Sequence, residues 1–449
     1  MLTNMKLLKL RLLLIALVAS AVTLSAQDMR EMIKEHPEYA SSNLLGYIYK
    51  PTPHTPAPKG YEPFYISTYG RHGSRWHTRP HYYEKAMGYF KQAEAEDALT
   101  EWGKNVYARV KAVSEHAAGR EGMLTDKGVR EHRGIAERMV QNYPEIFSTK
   151  GGKRCYIECL STLYPRCILS MAANNERIKE LNPEVEFRRT TGERYKAFLS
   201  KTASIAIISS YAKAEIEDGT IRHFTNPDRF VKSIFKPEYV AKIDKYDAML
   251  RIFYIATILQ NHDEMDITLY DIFTPEELYH LWLFRNMHHY TIFGSSAEFG
   301  DLVAAEAIPL MRHIIADVDD VLENGGRSGF MRFGHDMIVV PLINFLEMEG
   351  RCARVSLAEV DKVHTVWQDV NITSMAANVQ MVFYRNKQGE VLVKVLHNEA
   401  EVRLPVVSDV APYYRWEDFR KYYMARIESL SNVELPEVLE KYRKASAVL

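Results

Sequence analysis

Short apolar runs and longer stretches with a repeat near 3.6 alternate along this chain, and together they predict its elements. Residues 64–70, Phe-Tyr-Ile-Ser-Thr-Tyr-Gly, combine aromatic and β-branched side chains between Gly60 and Gly70 and predict a buried strand. Residues 155–160 and 329–333 carry the same signature, residues 185–189 a shorter one, and residues 379–385 and 391–396, split by Asn386-Lys387-Gln388-Gly389, predict a hairpin. Helical periodicity covers 81–98, 101–117, 125–143, about 163–181, 236–260, 275–290, 300–324, 336–348 and 416–430. Thr125 is placed to cap the third of these, and Pro144 ends it. Strands separated by helices predict an α/β fold, a mostly parallel sheet flanked by helices. Residues 201–300 have few strand signals and many aromatics, so they read as a mostly α-helical insertion roofing the site. The α/β domain is then residues 27–200 and 301–449. It opens with a short helical piece and an extended lead-in through Pro51, Pro53, Pro56 and Pro58.

The N-terminus changes this picture. Lys6, Lys9 and Arg11 precede an apolar run over 12–24 that exits at Ser25-Ala26-Gln27. This is the pattern of a secretory signal peptide over residues 1–26, and the run is short for a membrane span. A periplasmic or secreted protein with no stable membrane insertion after cleavage is expected. The four cysteines, Cys155, Cys159, Cys167 and Cys352, lack paired zinc-site spacing, and export would permit disulfides of undetermined connectivity. The oligomeric state is left open.

The 449 residues carry 57 basic and 58 acidic side chains, a net charge of −1, so no global field favours nucleic acid or an anionic membrane surface. Anion recognition must be local, and three strand ends supply it: Arg71-His72-Gly73-Ser74-Arg75, Ser161 with Arg166, and His335-Asp336. Open α/β sheets bind ligands at the carboxyl ends of their strands. Three guanidinium forks can clamp one phosphoryl group. A neutral imidazole can attack phosphorus, a second can donate to an equatorial oxygen, and a protonated carboxyl can supply the leaving group's proton. This set asks for no metal and no cofactor. Alone, each residue has a plainer reading, namely a networked strand-end histidine, a helix salt bridge or a helix cap; their conjunction favours chemistry. His77 and His81 have i, i+4 spacing but no third ligand, and Arg188, Arg189, Arg194 and Lys196 read equally as a solvated basic face.

Arg71-His72-Gly73-Ser74-Arg75-Trp76-His77-Thr78, Leu124-Thr125 with Gly128, Ser161-Thr162 with Arg166, and His335-Asp336 together resemble the histidine acid phosphatase family, branch 2 of the histidine phosphatase superfamily, which holds phytases and multiple inositol polyphosphate phosphatases. The resemblance spans about residues 60–405. It implies a phosphoglycerate-mutase-like fold, His72 as nucleophile, Arg71, Arg75, Arg166 and His335 as phosphate ligands, and Asp336 as proton donor. Thr78 and Arg79 fall where relatives contact the rest of the substrate. His77 stands where the family has proline, and His335-Asp336 follows the His-Asp pattern rather than the His-Ala-Glu of some inositol polyphosphate phosphatases. The expected activity is hydrolysis of a small-molecule phosphate ester through a phosphohistidine, with an inositol polyphosphate such as phytate ahead of a sugar phosphate or a broad range of monoesters. A phosphomutase and a non-catalytic phosphate-ester-binding protein are the rival classes.

Overall fold

Eight strands lie in one sheet: β1 (Glu62–Arg71), β2 (Tyr156–Ser161), β3 (Glu186–Thr191), β4 (Gly329–Gly334), β5 (Asn378–Arg385), β6 (Val391–His397), β7 (Ala400–Glu401) and β8 (Tyr413–Arg415). The computed structural model describes residues 28–200 and 203–446; the expected signal peptide lies outside them. The strand order is β3-β2-β4-β1-β5-β6-β7, with β8 on β6. β3, β2, β4 and β1 are mutually parallel, and the expected β5–β6 hairpin continues the sheet antiparallel from β1. β4, late in the chain, is thus inserted between β2 and β1.

Period-2 alternation buries both faces of the sheet. Tyr65 and Tyr69 of β1, with Met381 and Phe383 of β5, enter one apolar core. Ile66, with Met331, Phe333, Val382 and Tyr384, enters the other. The connecting helices cover both faces. They are α1 (Met29–Glu35), α2 (His81–Ala95), α3 (Glu101–Ala117), α4 (Asp126–Asn142), α5 (Pro165–Leu181), α6 (Ala203–Ala212), α7 (Lys245–Leu259), α8 (Pro275–Phe293), α9 (Ile308–Asn324), α10 (Asp336–Leu346), α11 (Trp416–Leu430) and α12 (Glu437–Ser446). α4 and α5 pack together on the Ile66 side, placing Ile135, Met139, Met171 and Ile178 in that core. α10 and α11 cover the Tyr65 side through Ile338, Val339, Phe419 and Tyr423.

The stretch between β3 and β4 is helical, and its aromatics form its core. Phe230 stacks on Phe273 at 4.6 Å, Phe253 meets Phe273 edge-on at 5.9 Å, and Trp282 is fully buried. Such side chains each contribute about 1.5–3 kcal/mol on burial. α8 starts where its sequence requires. Thr274 accepts from the Glu277 N–H, Glu277 accepts from the Thr274 N–H, and Pro275 holds the first helical position. α2 packs on α7, α3 on α2, and α1 with the 3₁₀ segment Pro37–Leu44 on α8, so this helical layer draws on three parts of the chain. A buried charge sits mid-sheet. Arg332 of β4 is fully buried, paired with Asp317 at 3.3 Å and donating to Ser67 Oγ at 2.9 Å, and that pairing offsets part of its desolvation. No helix among the described residues is long and apolar enough to cross a membrane.

Candidate active site

The site follows from the β1–β4 register. Arg71 is opposite Gly334 in a parallel pair, so the next residues, His72 and His335, leave the sheet side by side. Their rings sit 5.5 Å apart, edge to face. β2 ends beside them, and Thr162 donates its N–H to the Phe333 carbonyl. Arg166 follows in the first turn of α5, after Pro165 at the helix start. Asp336 is the first residue of α10 and His335 its N-cap. The carboxyl ends of β1, β4 and β2 therefore bring together Arg71, His72, Arg75, Arg166, His335 and Asp336.

His72 is buried, and its Nδ1 lies 2.9 Å from the Gly73 carbonyl. A carbonyl only accepts, so Nδ1 carries the proton and the lone pair sits on Nε2. Burial, then the charges of Arg166, Arg71 and Arg75, drive the imidazole well below its ordinary pKa, so the ring is neutral. Burial with Arg71 and Arg166 alongside lowers the Arg75 guanidinium to about 9, a sign of crowded positive charge that a bound anion would relieve. Nε of Arg71, of Arg75 and of Arg166 is buried without a hydrogen-bond partner. Arg71 is otherwise held firmly. Its Nη1 donates to the carbonyls of Asn43 (2.5 Å) and Thr373 (2.6 Å), and its Nη2 lies 3.0 Å from Asp336 Oδ2. Burial would raise the Asp336 carboxyl, but Arg71, His289, His335 and Arg75 outweigh it and hold the group below the usual carboxylate range. His335 places Nε2 at 3.2 Å from Thr162 Oγ1 and 3.8 Å from Cys167 Sγ, and burial lowers it to about 3.

The loop carrying His72 is seated by two glycines. A Cβ on Gly73 would lie 2.5 Å from the Gly128 carbonyl oxygen, and one on Gly128 would lie 2.4 Å from that of Ser74. Glu131 of α4 then accepts from the Ser74 N–H and Oγ, both at 2.7 Å. This is the physical content of Leu124-Thr125 with Gly128, and Thr125 caps α4 as its sequence predicts, accepting from the Gly128 N–H at 3.2 Å. Thr78 and Arg79 are exposed at the rim. Thr78 and Arg166 flank Gly122, at 3.7 and 3.4 Å from the position its Cβ would take.

His77, which stands where histidine acid phosphatases have proline, is a structural tie. Its Nε2 lies 2.6 Å from the Tyr254 carbonyl of α7, and its ring stacks on Tyr82 at 4.5 Å. His81 also stacks on Tyr82, so His77 and His81 act as ring partners. Among the described residues no group of three or more His, Cys, Asp or Glu side chains is arranged to hold a metal. Arg188 pairs with Glu158, Lys196 with Glu193, Arg189 covers Phe187 and Arg194 covers Tyr195, so these cations are engaged outside the site. The four cysteines are free thiols, three of them buried.

Two residues of the site escaped the sequence reading. Asn43, in the 3₁₀ segment before β1, donates Nδ2 to Asp336 Oδ2 at 3.0 Å while its carbonyl takes Arg71. Arg285 of α8 donates to Asn43 Oδ1 at 3.2 Å, which fixes the orientation of that amide. Neither sits in a motif, and a lone Asn in a polar stretch carries no chemical signature.

No protein-family model matches the chain, and no curated protein matches it by sequence. Its fold is shared with solved inositol polyphosphate phosphatases and phytases. The multiple inositol polyphosphate phosphatase of Bifidobacterium longum, solved with inositol hexasulfate, superposes with a TM-score of 0.70 at 18% identity over 86% of this chain and 97% of that one. The same protein solved with phosphate gives 0.70 at 20% over 87% and 98%. The phytase of D. castellii gives 0.64 at 13% over 89% and 88%. At these identities the likeness is one of fold.

Proposed function

We propose that this chain is an exported phosphomonoesterase of the histidine acid phosphatase type, acting on inositol polyphosphates such as phytate. The observation that carries the reading is His72: a buried, neutral imidazole with its lone pair on Nε2, among three arginines whose buried Nε–H groups have no acceptor. That is the state a nucleophile toward a phosphoryl group needs.

In the proposed reaction Arg71, Arg75, Arg166 and His335 bind the phosphoryl oxygens. His72 Nε2 attacks phosphorus as the ester P–O bond breaks, and Asp336 protonates the departing alkoxide. Asp336, now ionised, takes a proton from water, whose oxygen attacks the phosphohistidine and releases phosphate with His72 restored. Asp336 is ionised in the free site, so it gains its donor proton once substrate charge offsets the surrounding arginines. Phosphoryl transfer of this kind rests on positioning and charge stabilisation.

The insertion over 201–300, mostly helical among its described residues, is assigned as the roof that selects the rest of the substrate. Its support is the reach of Arg285 to Asn43 and of the Tyr254 carbonyl to His77. Exposed Thr78 and Arg79 extend the site outward, as a polyanionic ester requires. Export rests on the signal-peptide pattern over residues 1–26.

The test is phosphate release from phytate, glucose 1-phosphate, glycerol phosphates and p-nitrophenyl phosphate by the purified protein at acidic and neutral pH. Release from phytate above the others is expected. Isomerised ester without free phosphate would identify a mutase, and inertness toward the whole panel would identify a binding protein.

A further inference from the structure

A second cavity, of about 810 Å³, opens away from the catalytic residues. Tyr39, Leu45, Lys50, Arg351, Trp367 and His397 line it, and none of the phosphate-binding side chains does. The wall between the two sites is the chain that seats Arg71 and His72. Met375 donates its N–H to the Leu45 carbonyl at 2.8 Å, Thr373 accepts from Arg71, and Ala376 donates its N–H to the His72 carbonyl at 3.0 Å.

The lining carries two cations, Lys50 and Arg351. Among the described residues neither Lys50 nor Arg351 has an ion-pair partner, although Glu349 also borders the cavity. Arg351 donates Nη1 only to the adjacent Gly350 carbonyl, and its buried Nε–H has no acceptor. Trp367 is 1% exposed, and its indole N–H is likewise without one. His397 gives its Nε2 proton to the Ile372 carbonyl at 2.8 Å. Burial of part of its stem, and then the Arg351 charge, lower the exposed Lys50 ammonium, so the two cations lie within each other's field. Buried donors without acceptors are costly, and paired like charges more so. Part of the remaining lining is apolar, with Tyr39 and Leu45 buried and Ile48 and Val366 at 42% and 53% exposure, beside polar Gln368, Asn371, Ser374 and Asn398. The volume is that of a site for a metabolite-sized molecule rather than a lone ion.

We propose that this cavity is a second binding site, for a small organic anion whose oxyanion head meets Lys50 and the Arg351 guanidinium and whose apolar body lies against Tyr39 and Leu45. The site is independent of the phosphatase reading, since no catalytic side chain takes part in it.

Anilinonaphthalene sulfonate, a fluorescent anion with an apolar body, is the probe. The full protein should bind one saturable equivalent. The Lys50→Gln, Arg351→Gln double variant should weaken that binding by about tenfold or more, the loss of roughly one charged contact. Val366→Trp, which keeps both cations and fills the cavity mouth, should do the same, and Arg166→Ala in the catalytic site should leave binding unchanged. Undiminished binding in both cavity variants, loss of binding in Arg166→Ala, or no saturable binding to the full protein would each overturn the proposal.

Discussion

Arg71 and Asp336, 265 residues apart in sequence, meet with Nη2 3.0 Å from Oδ2 because β1 and β4 are in-register parallel neighbours. The contact ties a proposed phosphate ligand to the group proposed as proton donor. Leaving groups that depart as poor alkoxides need that proton, whereas a nitrophenolate does not. Asp336→Asn is therefore expected to lower kcat on phytate or glycerol phosphate by about 10²–10⁴-fold and on p-nitrophenyl phosphate by about tenfold or less. Steady-state rates on the two ester classes check this, and equal losses would remove Asp336 from the donor role.

Asn43 tunes the same carboxyl. A hydrogen bond to the charged form lowers a pKa, and Asn43 Nδ2 supplies one at 3.0 Å. Asn43→Ala should raise the Asp336 pKa and move the basic limb of the kcat–pH profile upward by about 0.5–1 unit, as the loss of a bond of about 1 kcal/mol implies. The backbone carbonyl that holds Arg71 is kept in this variant, so phosphate inhibition should change little. A downward or absent shift in the kcat limb would mean that Asn43 acts only as packing.

The tautomer of His72 makes its own forecast. With Nδ1 committed to the Gly73 carbonyl, phosphorylation should occur on Nε2. Rapid acid-free quenching with labelled substrate should trap a base-stable, acid-labile phosphoenzyme in the parent protein. His72→Ala should lose both the label and at least about 10³-fold in kcat. A label that persists in the variant would place the nucleophile elsewhere.

The strand ends were legible because each pairs an apolar run with an abrupt change to Arg, His or Asp, and both signals are local. β1, β2, β4 and the β5–β6 hairpin appear where that pattern predicts them, as do α3, α4 and α11. Asn43 was not legible. Its partners lie 293 residues away at Asp336 and 242 away at Arg285, and only the packing of the Pro37–Leu44 segment on α8 joins them. α12 was missed because half of its residues are charged; among those with described side chains only Leu439 is buried, and α12 packs on α6. His77 was visible as a departure from proline, but its bond to the Tyr254 carbonyl depends on a helix more than 170 positions later.

Gly128 sits in the first turn of α4, where alanine would ordinarily be favoured by about 1 kcal/mol. Here the added Cβ would lie 2.4 Å from the Ser74 carbonyl oxygen and 2.8 Å from the Ser74 nitrogen, both backbone atoms that cannot rotate away. The steric term wins. Gly128→Ala should lower stability by about 1–3 kcal/mol. Because the displaced loop carries His72 and Arg75, kcat should fall as well. Thermal unfolding and phosphate release measured on the same preparation test both, and a stabilised, fully active variant would show that the loop can shift freely.

Acid sensitivity should come in part from buried histidines, and His262 isolates the effect. It is 2% exposed, its ring stacks 3.4 Å from that of Trp76, and neither ring nitrogen has a hydrogen-bond partner, although Glu264 lies 3.5 Å from Nδ1. Burial, followed by nearby His77 and His116, lowers it to about 3. In the unfolded chain it titrates near 6.5. Between those values the unfolded state binds the extra proton, so the stabilising contribution is complete above about pH 6.5 and is lost as pH falls toward 3. His262→Phe removes the titration while keeping an aromatic ring against Trp76. It should therefore raise Tm at pH 4, by an amount corresponding to the order of 3 kcal/mol, and change it little at pH 8. Parallel Tm–pH curves for the two proteins would show that His262 is already protonated when folded, with Glu264 as its counter-ion.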